Sequence, residues 1–252
     1  MRAEDLAWRV ERACFEAWPD LDRRRCGDWI VRAGAGVSRR NNSANPLRPD
    51  PKGLEAAIAA AEQAYGDWGL PPTFRIPSFL DPAIDARLEQ LGYRLEGETL
   101  TLHGPCKGMA RQADPEVEMQ EAPGDDWLQA RALLSGYTPE QMETVRRVLA
   151  RLDLPAAFAT LRRDGRILSL AYGAASDGLF CVEAVVTAHE ARRRGLGRRM
   201  LMALLASPVA RDCEGVCLQV QADNWPALPL YRSLGIDREL YRYHYRRKPP
   251  PV

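Results

Sequence analysis

The segment Val185–Met200 constrains this chain more than any other. A β-type apolar run, Val185-Val186-Thr187, enters a turn whose core reads Arg192-x-x-Gly195-x-Gly197. Leu196, Met200, Leu201, Leu204 and Leu205 then recur at helical spacing, which gives the following helix one apolar face to bury. Glycine at such a turn lets the backbone approach a ligand closely, and the first N–H groups of a helix have no internal partner. The helix dipole and the arginines add positive charge, so the unit suits a pyrophosphate. It lacks the Gly-Lys-Ser/Thr ending of a nucleotide P-loop, and Met200 stands where a dinucleotide fingerprint needs its third glycine. The plainer alternative is a strand-to-helix turn beside a solvated arginine cluster.

What lies downstream separates these readings. Cys217–Asn224 alternates like a strand and ends on an Asn suited to cap a helix. Ala227, Leu230-Tyr231 and Leu234-Gly235 follow, and then the aromatic strand Leu240–Tyr245. The order strand, Arg-x-x-Gly-x-Gly, helix, strand, Asn-x-x-Ala-x-x-Leu-Tyr-x-x-x-Gly, strand resembles the GNAT family, the GCN5-related N-acetyltransferases. Both signature blocks of that family are present at their normal spacing.

The resemblance implies acetyl transfer from acetyl-CoA, as cosubstrate, to an amine in a ternary complex without a covalent enzyme intermediate. It implies an α+β fold: a mixed, mostly antiparallel sheet flanked by helices, its fourth and fifth strands splayed apart. Backbone groups of Val185, Val186 and Thr187 would pair with pantetheine amides as an added strand. The pyrophosphate would sit on the N–H groups of Arg193, Arg194, Gly195, Leu196, Gly197 and Arg198, with Arg192 at the family's Gln/Arg position. Arg199 is assigned to the exposed face of the helix. A backbone amide of Val185 or Val186 would meet the developing negative charge on the carbonyl oxygen.

Three side chains carry roles by the same resemblance, each with a structural alternative. Tyr231 falls where many relatives place the acid that protonates the leaving thiolate. A phenol of pKa about 10 can serve a thiol of about 8.5; a packed tyrosine with a structural hydrogen bond is the other reading. Glu183 shares strand parity with the acid some members use as base, though two residues nearer the turn. It is equally a paired or surface carboxylate. Asn224 is both helix cap and candidate cofactor contact. Pro229 removes a backbone donor and predicts a distorted first turn beside Tyr231.

Over 252 residues, 46% hydrophobic and 27% charged with a net charge of +1, the composition is that of a soluble globular protein. It gives no global field toward nucleic acid or membrane. The N-terminus has no apolar signal core and no segment approaches a membrane span, which points to the cytoplasm. The cysteines at 14, 26, 106, 181, 213 and 217 and the histidines at 103, 189 and 244 are scattered, so no metal is expected. The expected partners are acetyl-CoA and an amine-bearing small molecule or protein, with the oligomeric state open. An acyl-CoA-binding sensor with little catalysis is the alternative from another functional class.

Breakers bracket a linker at 105–115, dividing a diverged GNAT-like N-terminal domain (1–104) from a catalytic domain (116–248) and a Pro-rich tail (249–252). In the second half, strands are expected at Val117–Glu121, Ala156–Arg162, Ile167–Ala174 and Leu179–Thr187, with helices at Asp125–Ser135 and Pro139–Leu152. The first half reads strand Asp28–Arg32, helix Leu54–Trp68, strand Thr73–Pro77, helix Asp81–Leu91 and strand Arg94–Leu102. Leu91-Gly92-Tyr93 aligns with Leu234-Gly235-Ile236, which sets Leu88 opposite Tyr231. No Arg-x-x-Gly-x-Gly turn precedes Leu54. The segment Arg39–Pro46 either lines an anionic substrate or is a loop whose Asn and Ser side chains satisfy their own backbone.

Overall fold

Each half of the chain gives its last strand to the other, and the result is one continuous sheet. A computed structural model describes residues 3–107, 109 and 111–249. Most of the expected tail, 250–252, and part of the expected linker lie outside them. The chain opens on α1 (Ala3–Ala17), whose Leu6, Val10, Ala13, Cys14 and Ala17 form a buried stripe. A hairpin of β1 (Asp22–Cys26) and β2 (Trp29–Ala33) follows, then a 3-10 turn at Arg39–Asn41 and β3 (Ala44–Pro46). Next come α2 (Leu54–Asp67), β4 (Thr73–Pro77), α3 (Pro82–Gln90) and β5 (Arg94–Pro105).

The second half runs β6 (Val117–Gln120), α4 (Asp125–Ser135), α5 (Pro139–Leu149), β7 (Ala156–Arg163), β8 (Arg166–Ser176) and β9 (Leu179–Thr187). It ends with α6 (Leu196–Leu205), the short α7 (Pro208–Arg211), β10 (Gly215–Gln221), α8 (Ala227–Arg232) and β11 (Arg238–Arg247). Local chemistry sets several ends: Thr138 and Gln141 form a capping box on α5, and the Asp81 carboxylate accepts from Ala83 N at the start of α3. The expected α+β order is observed. The helix α1 and strands β1 and β3 were not anticipated.

Strand order across the eleven-stranded sheet is β1-β2-β3-β4-β11-β5-β10-β9-β8-β7-β6. Thus β5 pairs with β10 from Gly215↔Pro105 to Gln221↔Thr99, while β11 pairs with β4 from Tyr243↔Pro77 to Arg247↔Thr73. The crossing is tight: a Cβ on Gly104 would lie 2.0 Å from the Gly235 carbonyl oxygen. Alternation along β9 sends Phe180 and Val182 into the core under α6, α7 and α8, and Cys181 into the opposite core under α1, α4 and α5. A third core, with Trp29, Tyr65, Phe74 and Leu88, sits beneath α2 and α3. Although α1 belongs to the first half, it packs on β8, β9, β10 and β11.

Candidate active site

β9 and β10 run parallel only from Leu179↔Gly215 to Val182↔Leu218. Beyond that point β10 stays with β5 while β9 follows β8, so the two strands splay. A bulge sharpens the divergence. Tyr172 pairs with Glu183 and Leu170 with Val186, which leaves Ala184 and Val185 opposite Ala171 alone. Ala184 adopts φ +57°, and its carbonyl accepts from Arg131 Nη1 of α4 at 3.3 Å.

The bulge changes which groups face the gap. Val186 is paired with Leu170, and its carbonyl accepts from Ser169 Oγ at 3.1 Å, so it is committed to β8. By ladder alternation the backbones of Val185 and Thr187 face the splay instead. This corrects the expectation for Val186. The Thr187 side chain is also committed, sharing a 2.9 Å hydrogen bond with Ser169.

At the end of the gap the chain makes a second 3-10 turn, His189–Ala191, and then two left-handed residues, Arg193 at φ +59° and Gly195 at φ +75°. Gly195 is the N-cap of α6, and a Cβ there would meet nothing within 4 Å. Gly197 faces inward, where a Cβ would stand 3.0 Å from Thr187 Oγ1. Glycine is needed at 195 for its φ and at 197 for close packing. Leu196 is buried as the helix anchor.

The arginines divide. Arg193 and Arg194 are exposed and form no ion pair with any described residue. Arg192 Nε donates to Thr187 O at 3.3 Å, and Arg198 Nη1 lies 3.0 Å from Met202 Sδ. Arg199 lies half-exposed on the outer side of α6, and it is ion-paired there. Its guanidinium holds Asp114 through bonds of 2.7 and 2.8 Å and Glu116 at 2.7 Å, tying α6 to the segment before β6.

Glu183 lies beside the bulge, on the Cys181 face, and is buried. Both its oxygens accept from Arg40, Nη1 to Oε1 at 2.9 Å and Nη2 to Oε2 at 2.5 Å. Burial pushes its carboxyl above the usual range, with Arg40 pulling the other way. Tyr231, on α8, is also buried, and burial plus the charge of Glu183 pushes its phenol up to about 12. Its hydroxyl makes no hydrogen bond to a described residue and is not among the sealed polar atoms.

The cap expectation for Asn224 fails. α8 begins later, with Pro226 as N-cap and no side-chain cap bond, and Asn224 serves only through its carbonyl, which accepts from Ala227 N at 3.0 Å. The late start also resolves Pro229. It falls in the first turn, where a helix N–H has no intrahelical partner, and it is exposed.

A profile described as "Probable histone acetyltransferase Rv0428c C-terminal" matches residues 8–246, nearly the whole of this two-half chain. The chain belongs to that family, within the GNAT N-acetyltransferases. An uncharacterized N-acetyltransferase of Bacillus subtilis, YobR, is 26% identical over 247 residues, covering 95% of this chain and 98% of that protein. A GCN5-related N-acetyltransferase from Kribbella flavida superposes with a TM-score of 0.70 at 16% identity, covering 99% of this chain and 96% of that one. A tandem GNAT protein from the clavulanic acid biosynthesis pathway gives 0.61 at 13% identity, over 79% and 70% of the two chains. The last two likenesses establish the fold. This GNAT protein is therefore an acyltransferase, and no described helix is long and apolar enough to cross a membrane.

In the first half, the start of α2 can be set beside that of α6. Gly53, at φ +73°, is the N-cap of α2 as Gly195 is of α6. Its approach is Arg48-Pro49-Asp50-Pro51-Lys52, in which two prolines lack N–H groups. Asp28 accepts from Lys52 N at 3.0 Å, and Arg48 is held by Asp50 at 2.9 Å. Sequence reasoning missed Arg40 and Arg131 as neighbours of Glu183. It also missed that Cys14, Cys181 and Cys217 meet in the core, with Cys217 Sγ 3.8 Å from Cys14 Sγ and 3.2 Å from Cys181 Sγ. In the Arg39–Pro46 segment the loop reading holds, and one arginine has a partner that neither reading named. Asn42 Oδ1 accepts from Gly34 N and Gly36 N, while Arg40 reaches across to β9.

Proposed function

We propose that the protein transfers an acetyl group from acetyl-CoA to a primary amine, on a small molecule or a protein, by direct attack in a ternary complex. The observation that carries this reading is the splay of β9 from β10, closed at its end by the left-handed Gly195 at the start of α6. Acetyl-CoA supplies an activated thioester when bound. The residues fit it: the gap-facing backbones of Val185 and Thr187 suit pantetheine amides, and the open space over Gly195 suits a pyrophosphate. Arg193 and Arg194 are unpaired among the described residues and suit phosphate oxygens.

Each reacting group then has a neighbour from this chain. Glu183, through lone pairs that Arg40 leaves free, takes the proton the amine must lose. Val185 N–H faces the carbonyl oxygen, and Tyr231 gives a proton to the leaving sulfur. In this reading residues 116–248 form the cofactor-binding unit, and 1–104 supply an altered partner that has lost its own cradle.

Calorimetry with acetyl-CoA, and CoA thiol release across n-butylamine, spermidine, kanamycin and a lysine-bearing peptide, test the reading. Binding with amine-dependent release is expected. Gly195→Val places a β-branched residue at positive φ and a side chain in the cradle, so acetyl-CoA affinity should fall at least about tenfold. Unchanged affinity in that variant would sink the cradle.

A further inference from the structure

At the splay, Glu183 takes its charged partner from the other half of the chain. Arg40 is 143 positions away in sequence and belongs to the 3-10 turn between β2 and β3. The geometry points to Arg40 as a positioning residue, which the first half delivers to hold Glu183 oriented at the splay, so that the acetyl-transfer site is incomplete without that half. This rests on Glu183 being the proton acceptor.

The turn is built to present this side chain. Ser38 Oγ accepts from Arg40 N at 3.3 Å, and Asn42 Oδ1 takes the Gly34 and Gly36 amides at 2.8 and 3.0 Å. A Cβ on Gly34 would lie 2.3 Å from the Asn41 amide, so the turn closes only over glycine. The guanidinium is braced by Gln219 Oε1 at 3.3 Å and by the Trp18 ring at 5.5 Å. With both Glu183 oxygens in a planar fork, the carboxylate cannot rotate, yet each oxygen keeps a lone pair.

The other groups facing Glu183 do not replace this fork. Tyr172 of β8, Tyr231 of α8 and Cys217 of β10 are pushed up and keep their protons, and Cys14 of α1, pulled down by hydrogen bonding with Cys181 and Cys217, offers no positive charge. Arg131 of α4 is a cation, but it is spent on the Ala184 carbonyl and the Tyr137 hydroxyl. A buried carboxyl left without its cation takes up a proton, and a protonated carboxyl cannot accept one from the amine.

The test uses the full chain, acetyl-CoA, and thiol release with the fastest amine of the panel and with water alone, across pH. Arg40→Met should move the acid limb of kcat upward by one pH unit or more and leave acetyl-CoA affinity within about twofold, because the cradle lies elsewhere; one unit corresponds to tenfold in proton affinity. Arg40→Lys should restore part of that shift. The double variant Arg40→Met/Glu183→Gln carries no unpaired buried charge and folds even where the single variant does not. Its kcat should match that of Glu183→Gln within about twofold, since residues acting as a unit are not additive. An unmoved limb in Arg40→Met, or a double variant slowed by the product of the two single effects, overturns the inference. If Glu183→Gln itself keeps wild-type kcat and pH profile, the proton-acceptor reading falls first, and this inference with it.

Discussion

Tyr231 shows how one buried residue couples folding to chemistry. Its phenol is pushed up to about 12 by burial and by the charge of Glu183, so it is held in the proton-bearing form across the neutral range. The folded pKa lies above the unfolded value of about 10, so the neutral phenol contributes stability that is fully present below pH 10. That contribution is lost as pH rises from there through the folded value. Tyr231→Phe should therefore flatten the decline in stability over this interval, read as urea midpoints at a series of alkaline pH values. The same variant should lower kcat by about 10²-fold, a typical loss for a general acid, with acetyl-CoA affinity unchanged. Loss of affinity at constant kcat would make Tyr231 a packing residue for the cofactor.

At the scale of the element, the bulge in β9 is what opens the sheet. Ala184 holds φ +57° there, a conformation that costs a non-glycine residue about 1–2 kcal/mol and more when the side chain is β-branched. The Arg131 bond to its carbonyl and the pairing of Val186 with Leu170 fix the kink on both sides. Ala184→Val should cost about 2 kcal/mol by denaturant titration and weaken acetyl-CoA binding, whereas Ala184→Gly should be tolerated. Equal stability of the Val and Gly variants would mean that the strand is not strained. The bulge could not be read from sequence, because it exists only relative to the register of β8. The cradle could, because its glycines and helix are contiguous and each glycine answers a local need. Likewise β1, Asp22-Arg23-Arg24-Arg25-Cys26, is an exposed edge strand with no apolar alternation, and only pairing with β2 makes it a strand. Asn224 was misread for a related reason: two prolines delay the start of α8, and a cap is defined by where the helix begins. Arg40 and Glu183 were legible singly but not as a pair, since nothing local connects residues 143 positions apart.

Across the whole molecule, strand exchange makes the two halves one folding unit. β11 brings Tyr241, Tyr243 and Tyr245 into the core under α1, and burying each such ring is worth about 1.5–3 kcal/mol. β5 brings Leu100 and Leu102 into the core under α6. Polar contacts lock the crossing. Arg75 of β4 holds Glu11 of α1, which also accepts from the Tyr241 hydroxyl at 2.5 Å. Asp85 of α3 takes Arg246 at 2.7 Å and His244 at 2.6 Å on β11, and these partners hold its carboxyl down to about 2. A fragment of residues 1–109 would leave β4 with an unpaired edge, β5 without β10, and the α1 stripe without the strands it covers. A fragment of residues 110–252 would leave β10 and β11 without the strand between them and Glu183 buried without Arg40. An uncompensated buried charge of that kind costs about 3–5 kcal/mol, a large share of a domain's stability. Neither fragment should therefore give a cooperative urea transition or elute as a compact monomer, while mixing the two from denaturant should restore both compactness and acetyl-CoA binding. The intact chain should unfold in a single transition by circular dichroism and by tryptophan fluorescence together, the mark of one cooperative unit. A first-half fragment that folds alone as a cooperative monomer, or an intact chain whose two probes separate, would show that the exchanged strands join two independent domains.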